Sequence, residues 1–390
     1  MPSESGKELE DLALEVISKS SSLSSAVHPL TRRGIAELVR KMNSYYSNLI
    51  EGHNTHPLDI ERALHKDFSS EPVIRARQLE SQAHIEVQKL IEDRIEEESE
   101  LVITSKDFLC WVHKEFYSRM PDEYLYVKRD DGTSKKVIPG EIRETEVKVG
   151  RHLPPKSEYL DRFMERFEKV YTPNKMTKLQ RVIATAASHH RLAWIHPFLD
   201  GNGRVTRLMT HAYLKKANID GHGLWTASRG FARNRDEYLS ALAGADQTRR
   251  GDLDGRGNLS NRGLQDFCKF FMEIAIDQIN FMSSLLELDG MLKRIEAFVD
   301  YKVLLGEMKP ETKRLLQDLF LRGEISRGEI PGIMGMPERS ARRVVSQLLK
   351  ESYLVSNSPK GSVRLGFPVS AVGYYFPRLY PEGVETDLTK

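Results

Sequence analysis

Apolar residues recur at helical spacing along most of the chain. The clearest stripe runs from Ile35 to Ile50, with offsets of three and four between its members: Leu38, Val39, Met42, Tyr45, Tyr46 and Leu49. This spacing predicts an amphipathic helix that packs one face against a core. Similar spacing predicts helices over about 72–97, from residue 156 onward, over 175–194, after residue 196, through residue 238 and within 263–301. We therefore expect a mainly α-helical protein.

Residues 124–150 have a different composition. They are rich in Val, Ile, Tyr and Thr, and they contain two dipeptides typical of turns, Asp131-Gly132 and Pro139-Gly140. Such residues favour strands joined by tight turns. We expect one or two β-hairpins here, projecting from the helical body.

The C-terminal part reads as a separate small unit. Gly306 and Pro310 interrupt the helical pattern, which places a domain break at about 305–310. The pattern then predicts a helix, a short helix, a third helix that begins near Pro337, and two strands around 358–361. This order resembles a winged helix-turn-helix domain, in which the third helix is the recognition helix.

Composition and charge exclude several classes of protein. The chain has 390 residues, of which 39% are hydrophobic and 29% charged, a balance typical of folded soluble proteins. It lacks the ~18 consecutive apolar residues of a membrane span, and its first twenty residues lack the apolar core of a secretory signal. Its two cysteines, Cys110 and Cys268, are too few for a disulfide framework or a four-sulfur zinc site. We expect a cytoplasmic protein without a membrane partner.

The basic charge of the chain is local. The net charge is only +2, yet residues 309–366 contain eleven Lys and Arg against six Asp and Glu. Four of these cations fall on the predicted recognition helix: Arg339, Arg342, Arg343 and Lys350. They could contact DNA phosphates. Winged-helix units also dock proteins or form homodimers, so those uses stay open.

The run HPFLDGNGRVTR, from His196 to Arg207, carries the candidate chemistry. Gly201 and Gly203 let the backbone turn and approach a ligand closely. Helical spacing resumes directly afterwards, so the glycines lie at a helix N-terminus, where free N–H groups favour an anion. Arg204 and Arg207 project from one face of that helix. Two cations at the positive end of a helix are unfavourable unless an anion binds between them.

Two further groups in this run suit phosphate chemistry. Asp200 precedes the glycines, and one carboxylate beside a phosphate site suits Mg²⁺, which takes its other ligands from phosphates and water. His196 is placed to accept a proton from an incoming hydroxyl, and its ordinary pKa of about 6.5 leaves it neutral at cytosolic pH. Together these residues indicate nucleotidyl or phosphoryl transfer.

The same run resembles the signature of the Fic family, H-x-F-x-[D/E]-G-N-G-R-x-x-R, and matches it at every fixed position. The resemblance implies a helical core and transfer of AMP from MgATP to a Ser, Thr or Tyr hydroxyl of a protein, the enzyme itself included. It implies that His196 is the base and that Asp200 holds Mg²⁺. The phosphate-binding residues implied by the resemblance are Gly201, Asn202, Gly203, Arg204 and Arg207. The related phosphotransferases have lysine in place of Gly203, so this chain favours attack at the α-phosphorus with release of pyrophosphate.

An upstream segment resembles the inhibitory motif of the family, [S/T]-x-x-x-E-[G/N], with Ser47, Glu51 and Gly52 at its fixed positions. Glu51 lies in the last turn of its predicted helix, where the helix dipole disfavours a negative charge. A cationic partner elsewhere would explain its position, and Arg207 is the obvious candidate. Such a pair would leave ATP in an unproductive pose. The competing interpretation is an ordinary exposed glutamate.

Two weaker resemblances complete the expected site. Residues 139–150 resemble the family's flap, a hairpin whose edge pairs with the target protein, and Asn234 and Tyr238 resemble a segment beside the adenine. We divide the chain into an N-terminal helical region with the inhibitory helix (1–100), a Fic catalytic core (101–304), a winged-helix domain (305–368) and a tail (369–390).

Three alternative functions stay open. The first is a winged-helix DNA-binding regulator whose Fic domain only senses ATP. The others keep the enzyme but change its reaction: it would use another nucleotide donor, or it would remove AMP, with Glu51 orienting a water molecule. A zinc site at the clustered histidines is disfavoured because no H-E-x-x-H pattern is present. Residues 252–258 fail as a calcium loop because Arg256 falls at a ligand position.

Overall fold

The computed structural model describes residues 1–2, 6–128, 132–150, 152–255 and 257–381. In these segments the chain forms sixteen α-helices and two small antiparallel sheets of two strands each. The prediction of a mainly α protein is therefore confirmed. Not one of the described helices has both the length and the apolar composition that crossing a lipid bilayer requires.

Five helices make up the N-terminal third: α1 (Lys7–Ser25), α2 (Pro29–Ile50), α3 (Pro57–Leu64), α4 (Pro72–Glu97) and α5 (Lys106–Tyr117). The predicted apolar stripe is the buried face of α2, and the helix ends at Ile50, with Glu51 as the C-cap residue rather than within the last turn. Gly52 follows with a φ of +86°, the left-handed conformation that stops many helices. The bounds predicted for α4 are also confirmed.

The first half of the predicted β region forms a hairpin. Strand β1 (Tyr126–Lys128) pairs antiparallel with β2 (Ser134–Lys136), so that Tyr126 faces Lys136. Gly132 has a φ of +82° in the turn, whereas Asp131 lies outside the described residues.

The prediction of a hairpin at 139–150 is wrong. The described residues there contain no strand, only an isolated bridge between Val149 and His152. The reason is that the backbone donors of this segment bond to other elements. The N–H of Gly140 donates to Nδ1 of His113 at 2.8 Å, and that of Arg143 donates to the carbonyl of Pro197 at 2.9 Å. A strand partner would have to compete with both bonds.

Seven helices follow: α6 (Leu160–Tyr171), α7 (Lys178–Ile195), α8 (Asn202–Lys216), α9 (Ala227–Arg233), α10 (Arg235–Ala245), α11 (Asn261–Leu285) and α12 (Leu288–Leu304). The helical pattern within 263–301 is divided between α11 and α12. The division falls at Glu287, whose carboxylate accepts from the N–H groups of Asp289 and Gly290 and so begins a new helix. The candidate run lies between α7 and α8.

The C-terminal part contains α13 (Thr312–Arg322), α14 (Ile330–Met334), α15 (Glu338–Lys350), β3 (Leu354–Val355), β4 (Arg364–Leu365) and α16 (Val369–Tyr375). Strands β3 and β4 pair antiparallel, and Ile325 bridges to Val363 beside them. The element order matches the expectation of three helices followed by a hairpin. The assignment as a winged helix and the division into domains stay predictions.

Helix α2 contacts both the core helices and the C-terminal part. The helices α4, α8 and α9 pack against it. From α2, Oγ1 of Thr31 donates to the carbonyl of Phe320 at 3.0 Å, and the hydroxyl of Tyr46 donates to the carbonyl of Leu379 at 2.9 Å. The C-terminal part therefore holds the helix that carries the candidate inhibitory motif.

Candidate functional site

The loop between α7 and α8 has left-handed residues at both ends. His196 ends α7 with a φ of +50°, and Gly201 precedes α8 with a φ of +78°. A Cβ at Gly201 would lie 2.6 Å from the ring of Tyr117, so only glycine fits there. The side chain of Asn202 fixes the loop by bonding to both the N–H and the carbonyl of Phe198, each at 2.8 Å. These contacts define the backbone conformation of the loop.

His196 is held in one tautomer by its surroundings. Its Nδ1 lies 3.3 Å from the carbonyl of Ala193, which can only accept, so Nδ1 carries the proton. The lone pair of the neutral ring is then on Nε2. Burial lowers the pKa of His196 to about 4, against the raising effect of the Ala193 carbonyl. The ring is therefore a neutral base over the whole physiological pH range.

The position of His196 also depends on Arg143, a residue to which the sequence analysis assigned no role. Arg143 is buried, and its Nε donates to the carbonyl of His196 at 2.9 Å. Its other nitrogens donate to the carbonyls of Thr145 and Pro155. Residues 140–150 are thereby fixed beside the loop that carries His196.

Asp200 is exposed, and its carboxylate accepts one hydrogen bond from the described side chains. The hydroxyl of Tyr117 on α5 donates to its Oδ2 at 2.7 Å, while Oδ1 receives no such bond. Next to Tyr117 on α5, the ring of His113 stacks on Phe198 with a centroid distance of 4.1 Å. Helix α5 therefore packs against the loop and orients the Asp200 carboxylate.

Arg207 is buried on α8 and points at the C-terminal end of α2. Its Nη2 donates to Oε1 of Glu51 at 2.6 Å and to the carbonyl of Ser47 at 3.0 Å. Its Nε donates to the hydroxyl of Ser47 at 2.8 Å. The structure thus brings Ser47 and Glu51 of the short upstream motif together with Arg207, the partner that the sequence suggested for Glu51.

The Glu51 carboxylate also lies on the first turn of α8. A Cβ added to Gly203 would collide with Oε1 of Glu51 and lie 3.0 Å from Nη1 of Arg207. The N-cap residue of α8 is Gly201, which has no side chain to cap the helix. A carboxylate is therefore already present where the helix dipole and two arginines favour an anion. Burial would raise the pKa of Glu51, but the charges of Arg207 and Arg204 lower it below its ordinary value.

Arg204 faces a different carboxylate, which sequence reasoning missed. Its Nη2 donates to Oε1 of Glu80 on α4 at 3.0 Å, and its guanidinium lies 5.3 Å from the ring centroid of Phe116. The other oxygen of Glu80 lies 2.6 Å from Nδ1 of His53. This hydrogen bond is the main cause of the raised pKa of His53. Glu80 is 124 positions from Arg204, so no local pattern could have indicated the pair.

Asn234 and Tyr238 both make hydrogen bonds within the helical body. The Asn234 amide donates to the carbonyl of Gly230, and it ends α9. Tyr238 is buried, its ring stacks on Phe231 at 4.5 Å, and its hydroxyl lies 2.8 Å from Nε2 of His189. Burial raises the pKa of Tyr238 to about 12, partly opposed by the charge of Arg207 nearby. A role beside the adenine stays a prediction.

Part of the chain is similar in sequence to known proteins. Residues 103–214 match the Fic/DOC family. A stretch of 78 residues is 42% identical to the protein adenylyltransferase Fic of Drosophila grimshawi and 41% identical to that of Drosophila melanogaster. The stretch covers 20% of this chain and only 16% of each relative.

Two solved structures share the fold. A Fic family protein from Desulfovibrio desulfuricans superposes with a TM-score of 0.54 at 15% identity, over 94% of this chain and 98% of that one. Fic-1 from C. elegans superposes with a TM-score of 0.55 at 16% identity, over 72% of this chain and 73% of that one. The family match and the complete signature between α7 and α8 identify residues 103–214 as a Fic domain.

Proposed function

We propose that this protein is a protein adenylyltransferase that is held inactive by its own helix α2. It would transfer AMP from MgATP to a Ser, Thr or Tyr hydroxyl. The observation that carries this proposal is the Glu51 carboxylate lying between Arg207 and the first turn of α8. A site that attracts an internal carboxylate is a site built for an anion, and a triphosphate is the anion that the Fic fold suggests.

The residues around Glu51 suit a triphosphate. The first turn of α8 supplies N–H groups, and Gly203 keeps its backbone open to close approach. Arg204 is nearly fully buried, and its Nε has no hydrogen-bond partner among the described residues. Such an unpaired buried donor is unfavourable, and a phosphate oxygen would satisfy it. Arg207 would bind the terminal phosphate once Glu51 leaves.

Asp200 suits the Mg²⁺ that accompanies ATP. No cluster of three or more His, Cys, Asp and Glu side chains in the described segments could hold a metal ion by itself. An ion at Asp200 would thus take its other oxygens from the nucleotide and from water, as Mg²⁺ commonly does. When bound, it would neutralise phosphate charge and favour release of pyrophosphate.

His196 would perform the proton transfer. Its Nε2 lone pair takes the proton of the target hydroxyl, while the hydroxyl oxygen forms a bond to the α-phosphorus. The bond between that phosphorus and the bridging oxygen to the β-phosphate breaks, and pyrophosphate leaves with the electron pair. Arg143 joins residues 140–150 to the carbonyl of His196, so a target that binds along this segment has its hydroxyl next to the base.

The primary test is the labelling of protein with ATP that carries a label on its α-phosphate. We expect the Glu51→Gly variant to incorporate AMP into itself or an added target faster than the unchanged protein. His196→Ala in the same background should abolish incorporation. Glu37→Gln is the matched control, since Glu37 is exposed on α2 away from the site. Equal incorporation with and without His196 would refute the assignment.

A second candidate function rests on the C-terminal part. Arg339 and Arg343 are exposed on α15, and neither has an ion pair among the described residues, whereas Arg342 is paired with Glu338. This basic face is the observation that favours a DNA-binding regulator. A mobility-shift titration over salt should show steep salt dependence if these arginines neutralise phosphates. Absence of any shift at low salt would dismiss this candidate.

A further inference from the structure

A second carboxylate holds the other arginine of the anion site. Glu80 on α4 accepts from Nη2 of Arg204 at 3.0 Å through one oxygen and lies 2.6 Å from Nδ1 of His53 through the other. Nη2 of Arg204 is itself 3.4 Å from that imidazole nitrogen. Glu80, Arg204 and His53 therefore form one connected group, which we call the Glu80 group.

Burial strengthens the attraction between Glu80 and Arg204. The side chain of Arg204 is 9% exposed and that of Glu80 is 13% exposed, so solvent screens their attraction little. Burial alone would lower the pKa of Arg204, but nearby negative charges raise it, and Glu80 is the main contributor. Glu80 is thus the principal countercharge of Arg204.

The Glu80 group is also attached to the end of α2. His53 follows Glu51 by two positions, and the left-handed Gly52 lies between them. The N–H of His53 bonds to the carbonyl of Asn48, which keeps the residue in the helix-ending turn. A bond from Glu80 to His53 consequently holds the turn that carries Glu51. Arg204 and Arg207 lie one helical turn apart on α8. Arg204 is paired with Glu80, and Arg207 is paired with Glu51.

We propose that Glu80 is a second restraining carboxylate of the triphosphate site, which acts with Glu51 by pairing with Arg204 and by anchoring the turn after α2 through His53. The proposal rests on the proposed function. A triphosphate that contacts Arg204 competes with Glu80 in the same way as its terminal phosphate competes with Glu51 for Arg207. Opening of the site then requires both carboxylates to give up their arginines.

The competing role for Glu80 is purely supportive, and it makes the opposite prediction. If Glu80 only orients Arg204 toward phosphate, neutralising it weakens ATP binding. If Glu80 restrains Arg204, neutralising it strengthens ATP binding. Glu80→Gln is the decisive variant because it removes the charge and keeps an oxygen that can accept from Arg204.

The experiment is calorimetric titration of the full chain with MgATP. We expect Glu80→Gln to bind ATP about fivefold tighter or more, the range of ordinary coupling between sites. We expect the gain to be less than additive with Glu51→Gln, because both variants release one closed arrangement. Glu86→Gln is the matched control: Glu86 is on the same helix and pairs with Arg119, away from the site. The proposal would be overturned if Glu80→Gln bound ATP more weakly than the unchanged protein. It would also be overturned if Glu80→Gln and the control Glu86→Gln gained the same affinity.

A second measurement does not depend on nucleotide. In Glu80→Gln the pKa of His53, followed by NMR, should fall toward its ordinary value, and amide exchange in the turn 51–53 should speed up. If Glu80→Gln does not fold, His53→Gln tests the same anchor, with faster exchange in that turn expected and unchanged exchange contradicting it. Tighter ATP binding without AMP transfer in any variant would refute the proposed activity alone. Weaker binding in an enzyme that does transfer AMP would refute only the role of Glu80.

Discussion

The carboxylate of Glu51 and the guanidinium of Arg207 meet at 2.6 Å on top of the first turn of α8. This contact explains a local oddity of α2, which ends in a negative charge where its dipole disfavours one. This unfavourable interaction is offset because the carboxylate lies at the positive N-terminal end of α8 and pairs with the buried Arg207. In the proposed mechanism the same contact keeps the triphosphate out of its productive pose.

Ser47 should contribute to this closed arrangement. Ser47→Ala removes the acceptor of the Arg207 Nε, and an unpaired buried donor destabilises the closed form by about 1–3 kcal/mol. We therefore expect ATP to bind more tightly to Ser47→Ala, though by less than to Glu51→Gln, as measured by calorimetric titration. Ser44→Ala is the control, since the buried Ser44 hydroxyl donates to the carbonyl of Ser81 instead. An equal gain in both serine variants would contradict a specific role for Ser47.

Tyr117 should act through Asp200. The variant Tyr117→Phe keeps the ring and removes the hydroxyl that donates to Oδ2. A residue that orients a metal ligand typically changes metal affinity by ~10-fold or more, so the Mg²⁺ concentration for half-maximal labelling should rise by about that factor. Tyr213→Phe is the control, because it removes a buried hydroxyl that bonds to the carbonyl of Tyr171. The same Mg²⁺ dependence in both variants would exclude this role.

The pH dependence of labelling should reflect the lowered pKa of His196. Burial lowers that pKa to about 4, so the ring stays neutral and basic well below pH 6.5. In the Glu51→Gly background, kcat/KM corrected for ATP binding should fall in acid near pH 4. An acid limb near the ordinary value of about 6.5 would show that the ring is solvated in the working enzyme.

Buried neutral histidines should make the fold sensitive to acid. Burial lowers the pKa of His84 and of His189 to about 3, and that of His113 to about 4. The unfolded chain takes up these protons near pH 6.5 and the folded protein does not, so stability falls as the pH decreases between those values. Each such histidine contributes up to about 1.4 kcal/mol per pH unit to the free energy of unfolding. Urea unfolding at several pH values measures the slope.

One substitution isolates this effect. Neither ring nitrogen of His84 has a hydrogen-bond partner among the described residues, so His84→Leu removes a titrating group and no hydrogen bond. In His84→Leu the free energy of unfolding should change less per pH unit than in the unchanged protein, by the contribution of one histidine. His222→Asn is the control, because His222 is exposed and its left-handed backbone suits asparagine. An unchanged slope in His84→Leu would mean that His84 is protonated or solvated in the folded protein.

Elements that depend on neighbours in the sequence were predictable. The stripe from Ile35 to Ile50 gave the buried face and the C-terminal end of α2 because helix formation is local, and Gly52 ends it for the same reason. The absence of a hairpin at 139–150 was not predictable, since the composition of this segment permits strands while His113 and Pro197 take its backbone donors. Propensity describes what a segment can do alone, and these two bonds come from elsewhere in the chain.

By itself, the sequence determined the residue types from His196 to Arg207 and their order around one helix start, because a loop, its glycines and the first turn of a helix are all local. Only the tertiary structure decided which charges face the two arginines. Glu51 and Glu80 lie 156 and 124 positions from their partners, and such distances are closed by the packing of α2 and α4 against α8. Electrostatic attraction depends on distance in space, which the order of residues along a chain does not record.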